Sequence, residues 1–343
     1  MKYKLLSVHG KNATNIGDYV QALASSQFLP TLDGFVNREE LSCYDGEECC
    51  IIMNGWFMHD PSQWPPSEKI HPLFVAFHLN SSVSDSMLSE QGIEYLKKYE
   101  PIGCRDTNTT RLLKQHGIEA YFSACMTLTL GKKYYDKGND GIVYFVDPII
   151  PKSTKISEIS KNVIYFLSHA QEVNKVAKKL YNEHPLTLKR RIITAGFIRL
   201  YLRWFDKRLI TDAEYISQEN SYYKDHFNTD LERLAEAERL VRLYARAKLV
   251  VTNRIHCALP CLGLETPVVF VSDAKAEEIS TCRFGGLIDL FNVMECYPDG
   301  LTPKFDIEGK ITVANIPNNK RMWKDYAQRL SSVCNEFITN NKQ

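Results

Sequence analysis

The chain lacks several features that would place it at once in a common class. It has no run of about 18 or more apolar residues, so the sequence predicts no membrane-spanning helix. Its 42 Lys and Arg residues are balanced by 41 Asp and Glu, which argues against a general nucleic-acid-binding protein. The first ten residues, MKYKLLSVHG, lack the long apolar segment of a signal peptide. These absences leave a cytoplasmic enzyme as the expected class.

The ten cysteines form no CxxC pair and no compact cluster with histidine. Cys50, Cys125, Cys257 and Cys261 lie within apolar segments, which is typical of buried thiols. Cysteines spread over a long chain with a full apolar complement do not indicate a disulfide scaffold. We therefore expect no structural zinc site and no cofactor.

A chain of 343 residues is too long for one ordinary core and predicts two domains. Apolar strands at 49–55, 73–79, 101–105, 141–146 and 162–167 alternate with helical segments, which indicates largely parallel sheets covered by helices. The polar, glycine-punctuated segment 131–140 is the predicted linker. We expect an N-terminal α/β domain over 1–138, a C-terminal α/β domain over 139–318 and a last helix over 319–343. Two Rossmann-like halves facing each other across a cleft resemble the GT-B fold.

Residues 188–209 predict an inserted basic amphipathic helix in the second domain. Its apolar face carries aromatic residues, and Arg199, Arg203 and Lys207 line the other face. Such a helix is typical of a peripheral anchor on the inner face of a membrane. The alternative is a helix that packs on its own domain or on a dimer partner. The sequence favours neither.

The most informative segment is KLVVTNRIHCALPCLGLETPVVFV, residues 248–271. It predicts a buried strand, a short polar turn, a packed helix and a second buried strand. Thr252, Asn253 and Arg254 fall at the carboxyl end of the first strand, and His256 falls in the first helical turn. Ligands of open α/β sheets bind at this position, where helix N-termini present free N–H groups. The segment therefore predicts an anion site beside a titratable group.

Other candidate ligand-binding residues follow strands of the first domain. Gly17 and Asp18 lie in a strand-to-helix loop, where Asp18 is also a candidate helix cap. The long loop 53–68 is rich in aromatic residues and prolines and suits the apolar faces of sugar rings; the alternative is a lid packed by its own side chains. Arg105 ends another predicted strand. The structural alternative there is that Arg105 pairs with an acid and that Asp106 or Thr107 caps the following helix. The candidate ligand-binding residues of this domain, besides Arg105, are Gly17, Asp18, Asn54, Trp56, His59, Trp64 and His78.

Three segments in order along the chain, NIGDYVQALA, GCRDTNTTRLLKQHGIEAYFSACMTLTL and VVTNRIHCALPCLGLETPVVF, together resemble the polysaccharide pyruvyl transferase family. The resemblance spans most of the chain outside the basic helix and the C-terminus. It implies transfer of pyruvate from phosphoenolpyruvate onto a sugar of a capsular, exopolysaccharide or cell-wall glycan, usually as a cyclic ketal. The acceptor is either lipid-linked or a finished polymer.

The resemblance assigns roles that the chemistry also suggests. His256 is the expected general acid, which protonates the methylene carbon of the donor. Arg254 is expected to hold a donor carboxylate or phosphate, assisted by Thr252, Asn253 and Arg105. We expect the acceptor sugar to bind from the first domain.

The chain departs from many relatives at two places. It has Ala124-Cys125 where they have Asp-Pro, and Asp147 where they carry an Arg after the first strand of the second domain. A missing Arg leaves a donor anion less fully neutralised. One alternative is a GT-B glycosyltransferase that uses a nucleotide sugar, with Glu277 or Glu278 on the ribose. Another is a catalytically silent member that binds glycans or scaffolds an assembly complex.

Overall fold

The computed structural model describes residues 1–8, 14–150, 155–182, 184–275 and 282–341. Within these ranges the chain builds two six-stranded sheets, one from each half of the sequence. Ten of the twelve strands take part only in parallel pairs, whereas the last two pair with each other in antiparallel fashion. The α/β class with two parallel-dominated sheets is therefore confirmed.

The first half forms a fully parallel sheet of order β2-β1-β3-β4-β5-β6. Its strands are β1 (Lys2–Ser7), β2 (Phe35–Asn37), β3 (Cys49–Phe57), β4 (Ile70–Leu79), β5 (Ile102–Cys104) and β6 (Ala120–Phe122). Its helices are α1 (Gly17–Ser26), α2 (Ser84–Met87), α3 (Glu90–Lys97), α4 (Thr107–Gln115) and α5 (Gly131–Tyr134). The sequence CCIIMNGWF makes β3 almost wholly buried, as expected for a strand covered on both faces.

The second half forms a sheet of order β12-β11-β10-β9-β7-β8. Its strands are β7 (Val143–Val146), β8 (Glu214–Ile216), β9 (Leu249–Thr252), β10 (Val268–Asp273), β11 (Asn292–Tyr297) and β12 (Gly300–Pro303). Its helices are α6 (Ile156–Ser168), α7 (Ala170–Leu180), α8 (Leu188–Tyr201), α9 (Lys207–Thr211), α10 (Ser221–His226), α11 (Asp230–Ala245) and α12 (Ile255–Gly263), and the chain then ends with α13 (Trp323–Asn340).

The two halves share one apolar core. A Cβ atom on Gly263 would lie 2.5 Å from the carbonyl oxygen of Leu128, so only a glycine lets the two backbones approach there. Helix α13 returns to the first half, where the Tyr3 hydroxyl donates to the carbonyl of Asn341 over 3.0 Å. The carboxyl ends of both sheets consequently face a common cleft.

The prediction of a strand at 162–167 is wrong, because these residues lie within helix α6. Apolar residues recur there at Ile156, Ile159, Val163 and Leu167, which is a helical spacing. The five-residue apolar run alone does not distinguish a strand from a helix.

The segment 188–209 is not one helix but two, since α8 ends at Tyr201 and α9 begins at Lys207. Its apolar residues Phe197, Tyr201 and Phe205 are fully buried against the second sheet. On the other face, Arg199 pairs with Glu158 of α6. The apolar face of this segment is thus packed on its own half of the protein, as in the interpretation of a helix that packs on its own domain. In the part of the chain that the structure describes, no helix has both the length and the apolarity to cross a membrane.

Candidate active site

A cavity of about 330 Å³ lies between the halves. Both sheets contribute to its lining, which includes seven of the residues singled out from the sequence. From the first half come Thr14, Asn15, Asp18, Arg38, Trp56, His59 and Arg105, and from the second come Gln218, Glu219, Asn253, Arg254, Ile255, His256, Arg283 and Phe284. We call this space the cleft pocket.

The turn between β9 and α12 places Asn253, Arg254 and His256 in the cleft pocket. Thr252 is buried and does not line the pocket, contrary to its predicted contact with the donor. Its hydroxyl donates to the carbonyl of Val146 over 2.9 Å and accepts from the amide of Arg254 over 2.9 Å. Thr252 therefore fixes the turn that carries the other three side chains.

His256 presents a buried Nε2 atom that has no hydrogen-bond partner among the described residues. Burial, reinforced by the positive charges of Arg105 and Arg283, holds the pKa of His256 well below its usual value. The imidazole of the unliganded protein is accordingly neutral at pH 7. An anion beside it would offset the two charges and raise its pKa.

Gly17 packs against His256 instead of lining the cleft pocket. A Cβ atom at position 17 would lie 3.1 Å from both Cβ and Nδ1 of His256 and 2.9 Å from Oδ1 of Asn15. The close approach requires a glycine, and it fixes the imidazole from the opposite half. Ile16 is the N-cap residue of α1, so Asp18 lies in the first turn and does not cap it.

Arg254 is paired with two carboxylates. Its Nε lies 2.8 Å from Oδ2 of Asp147, and its Nη1 lies 2.5 Å from Oε2 of Glu219. Asp147 directly follows β7 with φ at +42°, an uncommon value for a residue other than glycine. Its carboxylate also accepts hydrogen bonds from the Ser217 hydroxyl over 2.8 Å and from the backbone amide of Gln218 over 2.9 Å. The residue that follows β7 is thus an acid that pairs with Arg254 and orients it.

Arg105 lies in the wall of the cleft pocket with only 2 % of its surface exposed. Its Nη1 donates to Oε1 of Gln21 over 3.3 Å, while its Nε has no hydrogen-bond partner among the described residues. No described carboxylate lies within 4.0 Å of the guanidinium. Among the described residues, Arg105 is therefore not paired with an acid, which was the structural alternative for its role.

His78 lies behind this wall and not in the cleft pocket, contrary to its predicted contact with the acceptor. Its Nδ1 lies 2.5 Å from Oδ2 of Asp106, and both side chains are buried. Burial, followed by the charge of Arg105, lowers the pKa of His78 to about 4, so the neutral ring donates its Nδ1–H to the carboxylate. Asp106 also caps α4 by accepting from the Thr109 amide over 2.8 Å, as the sequence suggested.

The segment 53–68, predicted as a loop, begins within β3, which extends to Phe57, and it divides between the cleft and the core. Trp56 lines the cleft pocket, where its ring lies 4.4 Å from that of His59, tilted by 56°, and 5.2 Å below the guanidinium carbon of Arg38. Trp64 instead packs in the core against Phe77, with ring centroids 6.0 Å apart. The predicted contact between Trp64 and a sugar is therefore inconsistent with its position.

Asn54 is also buried away from the cleft pocket. Its Oδ1 accepts from the Ser25 hydroxyl over 2.8 Å, and its Nδ2 donates to the carbonyl of Gln21 over 3.1 Å. These bonds attach β3 to α1. Asn54 thus supports the fold at this point and does not offer its amide to a ligand.

Arg38 and Arg283 were not predicted from the sequence. Arg38 follows β2 and lies 3.5 Å from Asp18 and 3.3 Å from Glu39. Arg283 lies in a single turn of 3-10 helix, Cys282–Phe284, between β10 and β11. A short strand and an irregular turn carry no strong sequence signal, which is why neither residue was found.

A second cavity, of about 500 Å³, adjoins the cleft pocket and shares Asn253 and Arg254 with it. It opens at the carboxyl ends of β7 and β8. Four tyrosines line it, Tyr181, Tyr215, Tyr222 and Tyr223, together with polar side chains that include Lys179, Asn182 and Arg239. We call it the tyrosine pocket.

Comparison with known protein families decides the class to which this site belongs. A model of the family described as polysaccharide pyruvyl transferase matches residues 15–274, which include the walls of the cleft pocket except Thr14, Arg283 and Phe284. The chain belongs to the polysaccharide pyruvyl transferase family. Membership supports a transferase that acts on a polysaccharide, and the two facing parallel α/β halves are GT-B-like.

Two solved structures are similar over most of the chain. An uncharacterized protein of Klebsiella pneumoniae is 14 % identical, with 80 % of this chain and 84 % of that one covered and a TM-score of 0.37. The Escherichia coli heptosyltransferase WaaC with ADP is 9 % identical, with 98 % and 100 % covered and a TM-score of 0.35. A search of curated proteins finds no match.

Proposed function

We propose that this protein transfers a pyruvyl group from phosphoenolpyruvate to hydroxyls of a glycan in the cleft pocket. The observation that carries the proposal is the convergence of four arginines on the pocket that His256 lines, Arg38, Arg105, Arg254 and Arg283. The Nε2 of His256 has no hydrogen-bond partner in the described part of the chain. Phosphoenolpyruvate offers two anionic groups to such a pocket and an enol ether carbon to the imidazole. Arginine forks match both carboxylate and phosphate.

The reaction balances without a further reactant. A proton adds to the methylene carbon of the donor, which becomes the methyl group and leaves an oxocarbenium-like centre. One sugar hydroxyl attacks that centre and loses its proton, the carbon–oxygen bond to phosphate breaks, and a second hydroxyl closes the ketal as its proton is released. The products are the cyclic ketal and inorganic phosphate.

His256 is the group proposed to deliver the first proton. Burial and the positive charges of Arg105 and Arg283 lower its pKa, and an anion in the pocket would favour the protonated state by offsetting those charges. Donor binding and proton uptake are thereby coupled. This coupling restricts the acid to the complex that contains its substrate.

For the acceptor, we propose the region between Trp56 and the tyrosine pocket. Aromatic faces suit the apolar faces of sugar rings, and the neighbouring polar side chains suit their hydroxyls. The tyrosine pocket meets the cleft pocket at Arg254, so a glycan lying in it would reach the donor. Membrane attachment through 188–209 is not part of this proposal, since the apolar face of that segment is buried.

The nucleotide-sugar alternative depended on an acidic ribose-binding residue. Its two candidates, Glu277 and Glu278, lie outside the described residues. A catalytically silent protein would have no need for an imidazole nitrogen left without a partner in a cationic pocket. Pyruvyl transfer accounts for both the charge and the histidine.

Thermal-shift measurements with phosphoenolpyruvate and a panel of nucleotide sugars test the donor. We expect phosphoenolpyruvate to raise the melting temperature, by an amount that grows with its concentration. Stabilisation by a nucleotide sugar alone would contradict the proposal and favour a glycosyltransferase.

A further inference from the structure

The four arginines of the cleft pocket differ in how far their charges are already neutralised. Arg254 has Asp147 and Glu219 at 2.8 and 2.5 Å, and Arg38 has Asp18 and Glu39 at 3.5 and 3.3 Å. An incoming anion must compete with these carboxylates for both side chains. Their net contribution to the positive potential of the pocket is therefore small.

Arg105 and Arg283 have no such neighbours. Among the described residues, no carboxylate lies within 4.0 Å of either guanidinium. The Nε of the almost completely buried Arg105 has no hydrogen-bond partner, although burying an unpaired charge is costly. Burial, followed by the positive charge of Arg105, lowers the pKa of Arg283, which indicates that the two charges are close enough to repel. An anion between them would relieve the repulsion.

The turn that carries Arg283 is fixed by the opposite half of the protein. The Thr107 amide, at the start of α4, donates to the carbonyl of Gly285 over 3.1 Å. Gly286 has φ at +77°, and a Cβ atom there would lie 2.8 Å from the ring of Phe122. These contacts hold the Arg283 turn against the strand-end region that also provides Arg105. The placement of these two arginines beside each other thus depends on the docking of the halves.

From these contacts we infer that Arg105 and Arg283 form the anion cradle of the cleft pocket, and that Arg254 is chiefly a positioning residue. The cradle takes the carboxylate and phosphate of the donor, while the Arg254–Asp147–Glu219 cluster holds the turn that carries His256. The inference rests on the proposed function for the identity of the donor. It reassigns the donor charge, which the sequence placed on Arg254.

Calorimetric titrations with phosphoenolpyruvate and with inorganic phosphate, on the full chain at low salt, test the cradle. Arg283→Ala is expected to raise the Kd for phosphoenolpyruvate by about 10- to 100-fold, the usual loss for a charge-assisted hydrogen bond. Arg105→Lys keeps the charge but loses the two-pronged donor geometry of the guanidinium, and it is expected to raise this Kd about 10-fold. Thermal melts of each variant verify that it is folded.

Two controls separate the cradle from a general effect of charge. Arg111→Ala removes the same charge from the exposed face of α4 and should leave the Kd within twofold of the wild-type value. The double variant Arg254→Gln with Glu219→Gln removes a matched pair and should lose less affinity than Arg283→Ala. Unchanged affinity in Arg283→Ala, or a larger loss in the double variant, would overturn the inference.

The two proposals fail in different ways. If the wild-type protein binds phosphoenolpyruvate and Arg283→Ala binds it equally well, the assignment of the anion cradle is wrong, while phosphoenolpyruvate remains the proposed donor. If the wild-type protein binds inorganic phosphate through Arg283 but not phosphoenolpyruvate, the cradle stands and the donor is wrong.

Discussion

Two segments at strand ends, 252–256 in the second half and 53–68 in the first, both carry polar side chains that the sequence assigns to a site. The first presents Asn253, Arg254 and His256 to the cleft pocket, with only the small Thr252 turned inward. The second presents Trp56 and His59 but buries Asn54 and Trp64. Most side chains of the first segment therefore line the cleft pocket, whereas those of the second are divided between the pocket and the core.

The difference follows from how soon the chain turns back. After β9 a helix begins within three residues, so the side chains of the turn have only the strand end and the cleft around them. After β3 the chain runs through a long loop, which can fold over and fill a gap with its own aromatic rings. A short turn between a strand and a helix therefore locates a site better than a long aromatic loop does.

The largest effect is expected from His256, the centre of the second-half segment. His256→Gln should lower turnover about 10²- to 10⁴-fold, as expected on removing a general acid, while the Kd for phosphoenolpyruvate changes only a few-fold. Phosphate release from phosphoenolpyruvate, with depyruvylated bacterial polysaccharides as acceptors, measures the turnover. Turnover close to that of the wild type would refute the assignment of the acid.

The two tryptophans of segment 53–68, Trp56 at the end of β3 and Trp64 in the loop after it, provide a matched test of site against core. Trp64→Ala should reduce the free energy of unfolding by about 3–5 kcal/mol, because it leaves a cavity among packed rings. Trp56→Ala, eight residues earlier and half-exposed, should cost less than about 1 kcal/mol. Urea unfolding of both variants compares them, and equal losses would show that the loop does not divide as described.

A smaller effect is expected where the two halves touch at the site. Gly17→Ala places a methyl group 3.1 Å from Cβ and Nδ1 of His256, which must shift by a few tenths of an ångström. We expect kcat to fall about 10-fold, since catalytic groups need precise orientation, with the Kd for phosphoenolpyruvate nearly unchanged. A fall in affinity with kcat preserved would indicate that Gly17 contacts the donor instead.

The smallest signal is the proton taken up with the donor. Since the pKa of His256 is low in the free protein and rises when an anion binds, binding should consume up to one proton and weaken as pH rises through the pKa of the complex. Calorimetry in buffers of different ionisation enthalpy measures this uptake. His256→Gln is the control that removes it but keeps the titration of the donor itself. Equal uptake in both proteins would place the proton elsewhere.

Much of the fold follows from the sequence, because parallel strands covered on both faces read as short apolar runs between breakers. The runs at β3, β4, β7, β9 and β10 are of this kind. The error at 162–167 arises because a short apolar run has no strand-specific period. For segment 188–209, the apolar face of a helix predicts that the face is buried but does not identify the surface that covers it.

The site is predictable only where local sequence fixes the direction of a side chain. Arg254 and His256 follow from their place at a strand end, but the pairing of Arg254 with Asp147 depends on a neighbouring strand about a hundred residues earlier in the chain. Arg283 reaches the cleft because its turn docks on α4 of the other half. Such contacts belong to the tertiary structure, and no spacing in the sequence encodes them.

A structure of the complex with phosphoenolpyruvate tests the central claim most directly. We expect the donor in the cleft pocket, with its two anionic groups against Arg105 and Arg283 and its methylene carbon about 3–3.5 Å from Nε2 of His256. A donor bound elsewhere, or one whose methylene carbon faces away from His256, would contradict it.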